Sequence, residues 1–411
     1  MNEPISSQLA YTSPERIALN QPTVETRTRA KSAPLAWHLG NLKAAAKRRL
    51  PPAIFDYVEG GSYDEVTLKT NVADLAALRL RQRILVKAAS RTQRTTIFGQ
   101  RASMPVALAP IGLAGMLYPQ GEIEAAMAAH TFGVPFCLST FSSCSIEDLA
   151  RAIRAPFLFQ LYLFKDQGVN ATLLQRAEQA GCPALVLTLD SAVQGRRNRD
   201  LDNGLVVPLK VRPRHVVGIL THLRWTFGWL SSKRTLGNLA MFVPGSSKLA
   251  DVSAWAERHY NGAVSAADVE WVRERWPGKL VIKGALDPDD AREAVKIGAD
   301  AIIVSNHGGR QLDGAESPVK AFPAIRDAVG SDAELIFDGG VRSGIDVLKV
   351  LGLGAKACLI GRAYVYGLAA YGKAGVTAAL ELIEQELDTA MALTGVDDVA
   401  ALPQGLVIQP A

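Results

Sequence analysis

The stretch SNHGGRQLDG places an imidazole, His307, and a guanidinium, Arg310, on one glycine-flexed loop, so both can turn into the same cleft. An imidazole can take a proton near neutrality, and a guanidinium can grip a carboxylate with two parallel hydrogen bonds. Asp190, closing the run PALVLTLD, supplies a carboxylate that could orient the imidazole. Lys283 and Gln160 end otherwise apolar runs, KLVIKGA and PFLFQLY, where a long polar side chain must meet a partner or a ligand. Ser139, Thr188 and Ser305 occupy comparable places but read equally well as helix caps, and Tyr162, Asp338 and Arg197 complete the polar set. DGGVRSG and IGR each join glycine-exposed amides to an arginine, Arg342 and Arg362, which suits a phosphate on a cofactor or a substrate. No GxGxxG follows a strand-like run to suggest NAD, and no Cys/His spacing suits a metal.

These residues need a scaffold that brings the ends of many short segments together. From residue 104 onward, apolar β-branched runs alternate with helix-period segments. There are eight such runs: 104–110, 134–140, 156–162, 183–190, 279–285, 299–306, 333–340 and 356–362. Between them lie GEIEAAMAAHTFG, SIEDLARAIR with Ser145 and Asp148 spaced as a capping box, DPDDAREAVKIGA and SGIDVLKVLGLGA. Eight parallel strands with right-handed crossovers close most simply into a (β/α)8 TIM barrel, an α/β fold whose chemistry sits at the C-terminal ends of the strands. Every polar residue named above falls at such an end or just beyond it.

Two pieces lie outside the repeat. An N-terminal extension carries a predicted helix over 38–50, the break Pro51-Pro52 and a strand-like LRLRQRILV at 78–86. A long insertion after the fourth strand, 196–262, lacks βα rhythm, and a loop of that length in a compact domain is usually functional. Residues 1–36 read as a disordered leader, so the domain proper is 37–411; basic residues there admit a transit peptide, but Glu3, Glu15 and Glu25 oppose it. With 48% hydrophobic and 21% charged residues the chain can bury a sizeable core. Cys137, Cys144, Cys182 and Cys358 read as reduced, buried thiols of a cytoplasmic protein. The net charge of +5 is concentrated between Lys210 and Arg258. A recognition helix or RNA motif is missing, so nucleic acid is not an expected partner.

Taken together, SNHGGRQLDG, VIKG, FQLY, LTLD followed by GRRNRD, DGGVRSG and IGRAYVYGLA resemble the FMN-dependent 2-hydroxy acid dehydrogenases and oxidases, a family that includes lactate, glycolate and mandelate enzymes. The likeness runs from about residue 38 to the C-terminus. It implies FMN as cofactor, its ring held around Pro110, Ile111 and Gly112 with Ser139, Gln160, Thr188, Lys283 and Ser305. The FMN phosphate would be held by Asp338, Gly339, Gly340, Arg342, Gly361 and Arg362. His307 would be the base, Asp190 its partner, and Arg310 and Arg197 the grip on the substrate carboxylate. Tyr57 and Tyr162 would hydrogen-bond the substrate. Phe141 and Gly112 would border its side chain; oxidase-type relatives often carry alanine at the latter position, and glycine there leaves room for lactate or a bulkier acid. The implied reaction is oxidation of an L-2-hydroxy acid, L-lactate first, to the 2-keto acid, with a mandelate-type dehydrogenase or an oxygen-using oxidase as alternatives. The residues by themselves also admit a phosphate-binding barrel isomerase, or an aldolase using Lys283 as a Schiff base.

Within the insertion, 209–245 mixes basic residues with Trp225, Phe227, Trp229, Leu230 and Phe242, the composition of a surface that docks on anionic lipid; the bland reading is a loop packed on the barrel mouth. Docking would place the protein on the inner face of the cytoplasmic membrane, passing electrons to a quinone or other respiratory acceptor. Such a protein should release from membranes, and keep its reduction of soluble dyes, when 209–245 is deleted. The resemblance further implies a homo-oligomer, a tetramer.

Overall fold

The structure, a computed structural model, describes residues 36–86, 90–204 and 213–408. All but the last residue of the leader, and Lys210 and Arg212 of the basic stretch, lie outside the described residues.

Eight parallel strands form the centre: β1 (Val106–Leu108), β2 (Cys137–Ser139), β3 (Leu158–Leu161), β4 (Ala184–Thr188), β5 (Lys279–Ala285), β6 (Ala301–Val304), β7 (Glu334–Asp338) and β8 (Ala357–Ile360). Each pairs with the next, β8 pairs with β1, and a parallel bridge from Leu108 to Phe136 closes the ring between β1 and β2. The (β/α)8 barrel is therefore as expected, and each predicted run contains its strand. Helices follow where capping predicts them: Ser145 and Asp148 form a reciprocal capping box on Ile146–Ile153, and Pro288 opens Pro288–Ile297 behind the cap Asp287.

The strands are buried on both faces because helices pack outside and side chains fill the lumen. Ala107, Cys137, Leu158, Val186, Val281, Ile303, Ile336 and Leu359 form one buried cluster with Ile97 and Phe98. The last two come from a hairpin, Thr95–Ile97 with Gln100–Ala102, which plugs the barrel floor; the Phe98 amide donates to Glu334 at the start of β7. Each such large side chain adds roughly 1.5–3 kcal/mol over an exposed one, enough to keep the floor shut and leave the opposite mouth as the entrance.

Helices α1 (Leu39–Arg49), α2 (Pro52–Glu59) and α3 (Val66–Ala77) make up the N-terminal extension, with Pro52 at the first turn of α2. The expected strand over 78–86 is only Arg79–Leu80, paired antiparallel with Val407–Ile408. Ile84 and Leu85, beyond that short pairing, are exposed. The described part of the insertion is helical: Asn198–Asp202, Pro213–Thr221, Leu223–Leu230 and Leu249–His259.

Candidate active site

The mouth of the barrel opens into a cavity of about 1900 Å³, walled by strand ends on one side and by α2 and the insertion on the other. Pro110, Ile111, Gly112, Ser139, Phe141, Tyr162, Thr188, Arg197, Lys283, His307, Arg310, Asp338, Gly361 and Arg362 line it together with Tyr57. Gln160, Asp190 and Ser305 stand behind that wall, bonded to residues in it.

His307 sits between two partners. Its Nδ1 is 2.8 Å from Asp190 Oδ1, and its Nε2 is 3.4 Å from the Tyr162 hydroxyl. The loop carrying it is left-handed at three consecutive residues, His307, Gly308 and Gly309, with φ of 59°, 64° and 72°. Glycine is required at Gly309, where a Cβ would stand 2.6 Å from the Leu68 amide nitrogen. Burial acts to raise the pKa of Asp190, but the imidazole and Lys283 outweigh it and hold the carboxyl below its usual value. Asp190 is thus a carboxylate aimed at the ring, and burial with Asp190 nearby pushes Tyr162 up, keeping it a neutral phenol.

Lys283 is buried, its Nζ 2.8 Å from Ser305 Oγ and 2.9 Å from Asp338 Oδ2, while Ser305 donates to Asp338 at 2.7 Å. Burial pulls the lysine down, but Asp338 and Asp190 overcome it and raise the pKa. A lysine held this way stays protonated near neutrality and is a poor nucleophile, which argues against the Schiff-base alternative. The expected phosphate role of the Asp338 side chain is corrected by the same contacts: the carboxylate turns to Lys283, and a second anion beside it would be repelled.

Arg362 lines the cavity, and burial with Arg310 and Arg342 nearby pulls its pKa down to about 9, the condition of a cation short of an anion. Its three guanidinium nitrogens donate to the carbonyls of Val58, Gly60 and Gly308 at 2.8–2.9 Å, so it ties α2 to the His307 loop. Gly339 and Gly340 press against Asn71 of α3, where a Cβ on Gly340 would stand 2.4 Å from the Asn71 carbonyl oxygen. Arg342 lies over the Tyr366 ring at 5.9 Å, its guanidinium without a hydrogen-bond partner among the described residues, and Gly361 precedes the helix Arg362–Tyr371, where a Cβ would meet Ile111 and Ala109 only at 3.8 and 4.0 Å. Of the expected phosphate set, these two and Arg362, whose terminal nitrogens each keep one N–H, retain the means to bind one.

Arg310 donates one nitrogen to the carbonyls of Tyr57 and Gly60, at 2.8 and 2.9 Å, leaving the rest of its fork to the cavity. Burial and the neighbouring Arg197 pull its pKa down to about 10, the condition of a cation short of an anion. Arg197 pairs with Asp200 at 3.3 Å, and Tyr57 donates to the Gly112 carbonyl at 3.2 Å. The room expected beside Gly112 is taken by Phe141, whose Cβ would lie 3.3 Å from a Cβ there and whose ring packs on Tyr162 with centroids 5.1 Å apart.

Ten buried side-chain polar atoms among the described residues have no partner, and four of them belong to this site: Gln160 Nε2, Thr188 Oγ1, Asp190 Oδ2 and Arg197 Nε. These four gather at this mouth, and buried groups of this kind call for a ligand with matching polar edges. A flavin ring, with alternating donors and acceptors along one edge, fits Gln160 and Thr188. Sequence reasoning missed three neighbours. Asn71 and Asn306 exchange two amide hydrogen bonds of 2.7 Å behind the His307 loop, and Tyr260 of the insertion packs on Tyr162 at 5.8 Å. Nothing local marks them, because each acts across a long sequence separation.

The model of the FMN-dependent dehydrogenase family matches residues 46–409. The chain is 46% identical over 368 residues to an L-lactate dehydrogenase of Acinetobacter baumannii, covering 89% of this chain and 96% of that one. An L-lactate dehydrogenase of Caulobacter vibrioides is 47% identical over 370 residues, with 90% and 97% covered. Among solved structures, the monotopic membrane protein (S)-mandelate dehydrogenase superposes with a TM-score of 0.88 at 35% identity, over 92% of this chain and all of that one. A mandelate oxidase with (S)-4-hydroxymandelic acid gives 0.77 at 38% identity, over 88% and 96%.

Proposed function

From the premise that the chain belongs to the FMN-dependent dehydrogenase family, we propose that it oxidises a small L-2-hydroxy acid, L-lactate first, and passes the electrons to a quinone or other respiratory acceptor. The observation that carries this reading is the pairing of His307 with Asp190 opposite the half-free guanidinium of Arg310, beside unsatisfied Gln160 and Thr188. When bound, FMN supplies a two-electron acceptor in that mouth. Family membership also sets the isomerase and aldolase alternatives aside.

The remaining chemistry belongs to the chain. Arg310 and Arg197 hold the carboxylate, which fixes the hydroxyl-bearing carbon toward the imidazole. His307 accepts the substrate proton at Nε2, and Asp190, a carboxylate at working pH, stabilises the imidazolium and fixes the tautomer. Tyr162 and Tyr57 line the substrate's polar end. Lys283 provides a fixed positive charge in the cofactor wall, and Arg342 with the amides after Gly361 would hold the phosphate. Phe141, filling the space beside Gly112, favours the methyl group of lactate over a phenyl ring.

The helices Pro213–Thr221 and Leu223–Leu230 support docking on a membrane surface. Val217, Leu220, Leu223, Phe227 and Leu230 are exposed there, close in sequence to Arg224, Lys233 and Arg234. Among the described residues no helix is long and apolar enough to cross a membrane, so the contact proposed is peripheral, and the assembly proposed is the homo-oligomer the resemblance implies. The test is anaerobic: the purified holoprotein should be bleached by L-lactate, more slowly by L-mandelate and not by D-lactate. Absence of bleaching by every L-2-hydroxy acid would overturn the reading.

A further inference from the structure

The insertion does more at the barrel mouth than present an apolar face. Asn238 lies within it, fully buried, with its amide saturated by one segment of the barrel. Its Oδ1 accepts from the Ile146 amide at 2.9 Å; its Nδ2 donates to Ser142 Oγ at 3.0 Å and to the carbonyls of Ser139 and Thr140 at 3.2 and 3.4 Å. The neighbouring Gly237 donates its amide to the Ser142 carbonyl at 2.9 Å, and a Cβ there would stand 2.4 Å from the Cys144 carbonyl carbon, so the two backbones touch. From outside, Arg176 pairs with Glu147 and donates to the Asn238 carbonyl at 2.9 Å. The clamped segment is the loop after β2. At one end Ser139 accepts from the Phe141 amide at 3.2 Å and donates to Gln160 at 3.1 Å, and Phe141 then packs against Gly112 and Tyr162. From the side of β1, Glu122 accepts from the Ser143 amide at 2.8 Å, so among the described residues the loop's side-chain tie to the insertion is Asn238, beside the Gly237 backbone bond.

We propose that Asn238 is a positioning residue for the reaction: it sets Phe141 against Gly112, and the insertion thereby helps to choose the side chain of the hydroxy acid. A buried asparagine that only held the fold would alter stability and cofactor retention without altering which substrate is preferred. This inference rests on Phe141 bordering the substrate, as in the function proposed above. Removing the amide releases the hydrogen bonds that hold both ends of this loop, so Phe141 is no longer pinned against Gly112 in a close-packed wall.

The test uses holoenzyme saturated with FMN, with rates expressed per bound flavin. In Asn238→Ala the ratio of kcat/KM for L-lactate to that for L-mandelate should move toward mandelate by about tenfold, through KM, the size of effect a methylene-scale change in a pocket produces. Asn238→Asp, which sets a carboxylate against two carbonyls, should move it further, and in a Phe141→Leu background Asn238→Ala should add no further change. If Asn238→Ala does not fold, the milder Asn238→Ser carries the same expectation. A lowered melting temperature with an unchanged ratio overturns the proposal. Should no hydroxy acid bleach the wild type, the function reading fails by itself. The visible spectrum of bound FMN, which Ser139 borders, then decides: a shift in Asn238→Ala supports the positioning role, and an unshifted spectrum overturns it.

Discussion

His307 Nδ1 and Asp190 Oδ1 lie 2.8 Å apart although 117 residues separate them, and this contact settles which face of the imidazole is free. With Nδ1 committed to the carboxylate, Nε2 is the atom left for the substrate proton. His307→Gln should therefore keep FMN and lose bleaching by L-lactate by about 10²–10⁴-fold, the usual worth of a positioned base. Asp190→Asn should lose a comparable factor in kcat with little change in KM, because it alters charge and tautomer and leaves carboxylate binding alone. Stopped-flow bleaching measures both. Loss of flavin from His307→Gln would make the residue structural.

Arg310 is expected to control affinity more than turnover. Its guanidinium is charged below about pH 10 and loses that charge as pH rises through that value, so binding of an unreactive carboxylate such as oxalate should weaken above it. Arg310→Lys keeps the charge and loses the planar fork. Its oxalate dissociation constant should rise about 10–100-fold, the equivalent of one charge-assisted hydrogen bond. Titration of the flavin spectrum with oxalate from pH 7 to 11 reads both effects, and an unchanged dissociation constant in Arg310→Lys would detach Arg310 from the carboxylate.

Lys283 links the site to stability. Its folded pKa is raised, so the stabilisation it gives is complete below the unfolded value near 10.5 and disappears as pH climbs through the higher folded value. Buried tyrosines with raised values act in the same direction, so the contribution of Lys283 is read as a difference between proteins. Lys283→Met strands Asp338 and should cost about 3–5 kcal/mol near neutrality, with the gap to wild type narrowing above pH 10.5. Urea unfolding at a series of pH values tests this, and a gap that stays constant above pH 10.5 would mean that the charge of Lys283 is not its source.

The barrel was legible because burial on both faces writes itself into local sequence as short apolar runs, and caps such as Ser145 mark where each helix begins. The motifs likewise pointed to loops that line one cavity. They could not name side-chain contacts: IGR foretells an arginine after β8, but only the fold shows that Arg362 also ties Val58, Gly60 and Gly308 together. Asp338 misled for the same reason, since nothing nearby in sequence announces Lys283 from β5. Asn238 was invisible because its partners lie about 92–99 residues away and an asparagine in a loop has many ordinary uses.

The membrane contact has to be tested more narrowly than by deleting 209–245. That segment includes Trp225, which donates to the Met116 carbonyl at 2.8 Å, and Leu236, Asn238 and Leu239, all buried, so its removal would open the core beside the site and would not spare dye reduction. Leu220 and Phe227, by contrast, are 65% and 68% exposed. Changing both to serine should leave folding and reduction of a soluble dye near wild type. Co-sedimentation with anionic vesicles should fall, since each side chain withdrawn from lipid forfeits roughly 1.5–3 kcal/mol. Raising the salt should weaken what binding remains, through Arg224, Lys233 and Arg234. If the doubly substituted protein sediments as wild type does, these helices face something other than lipid.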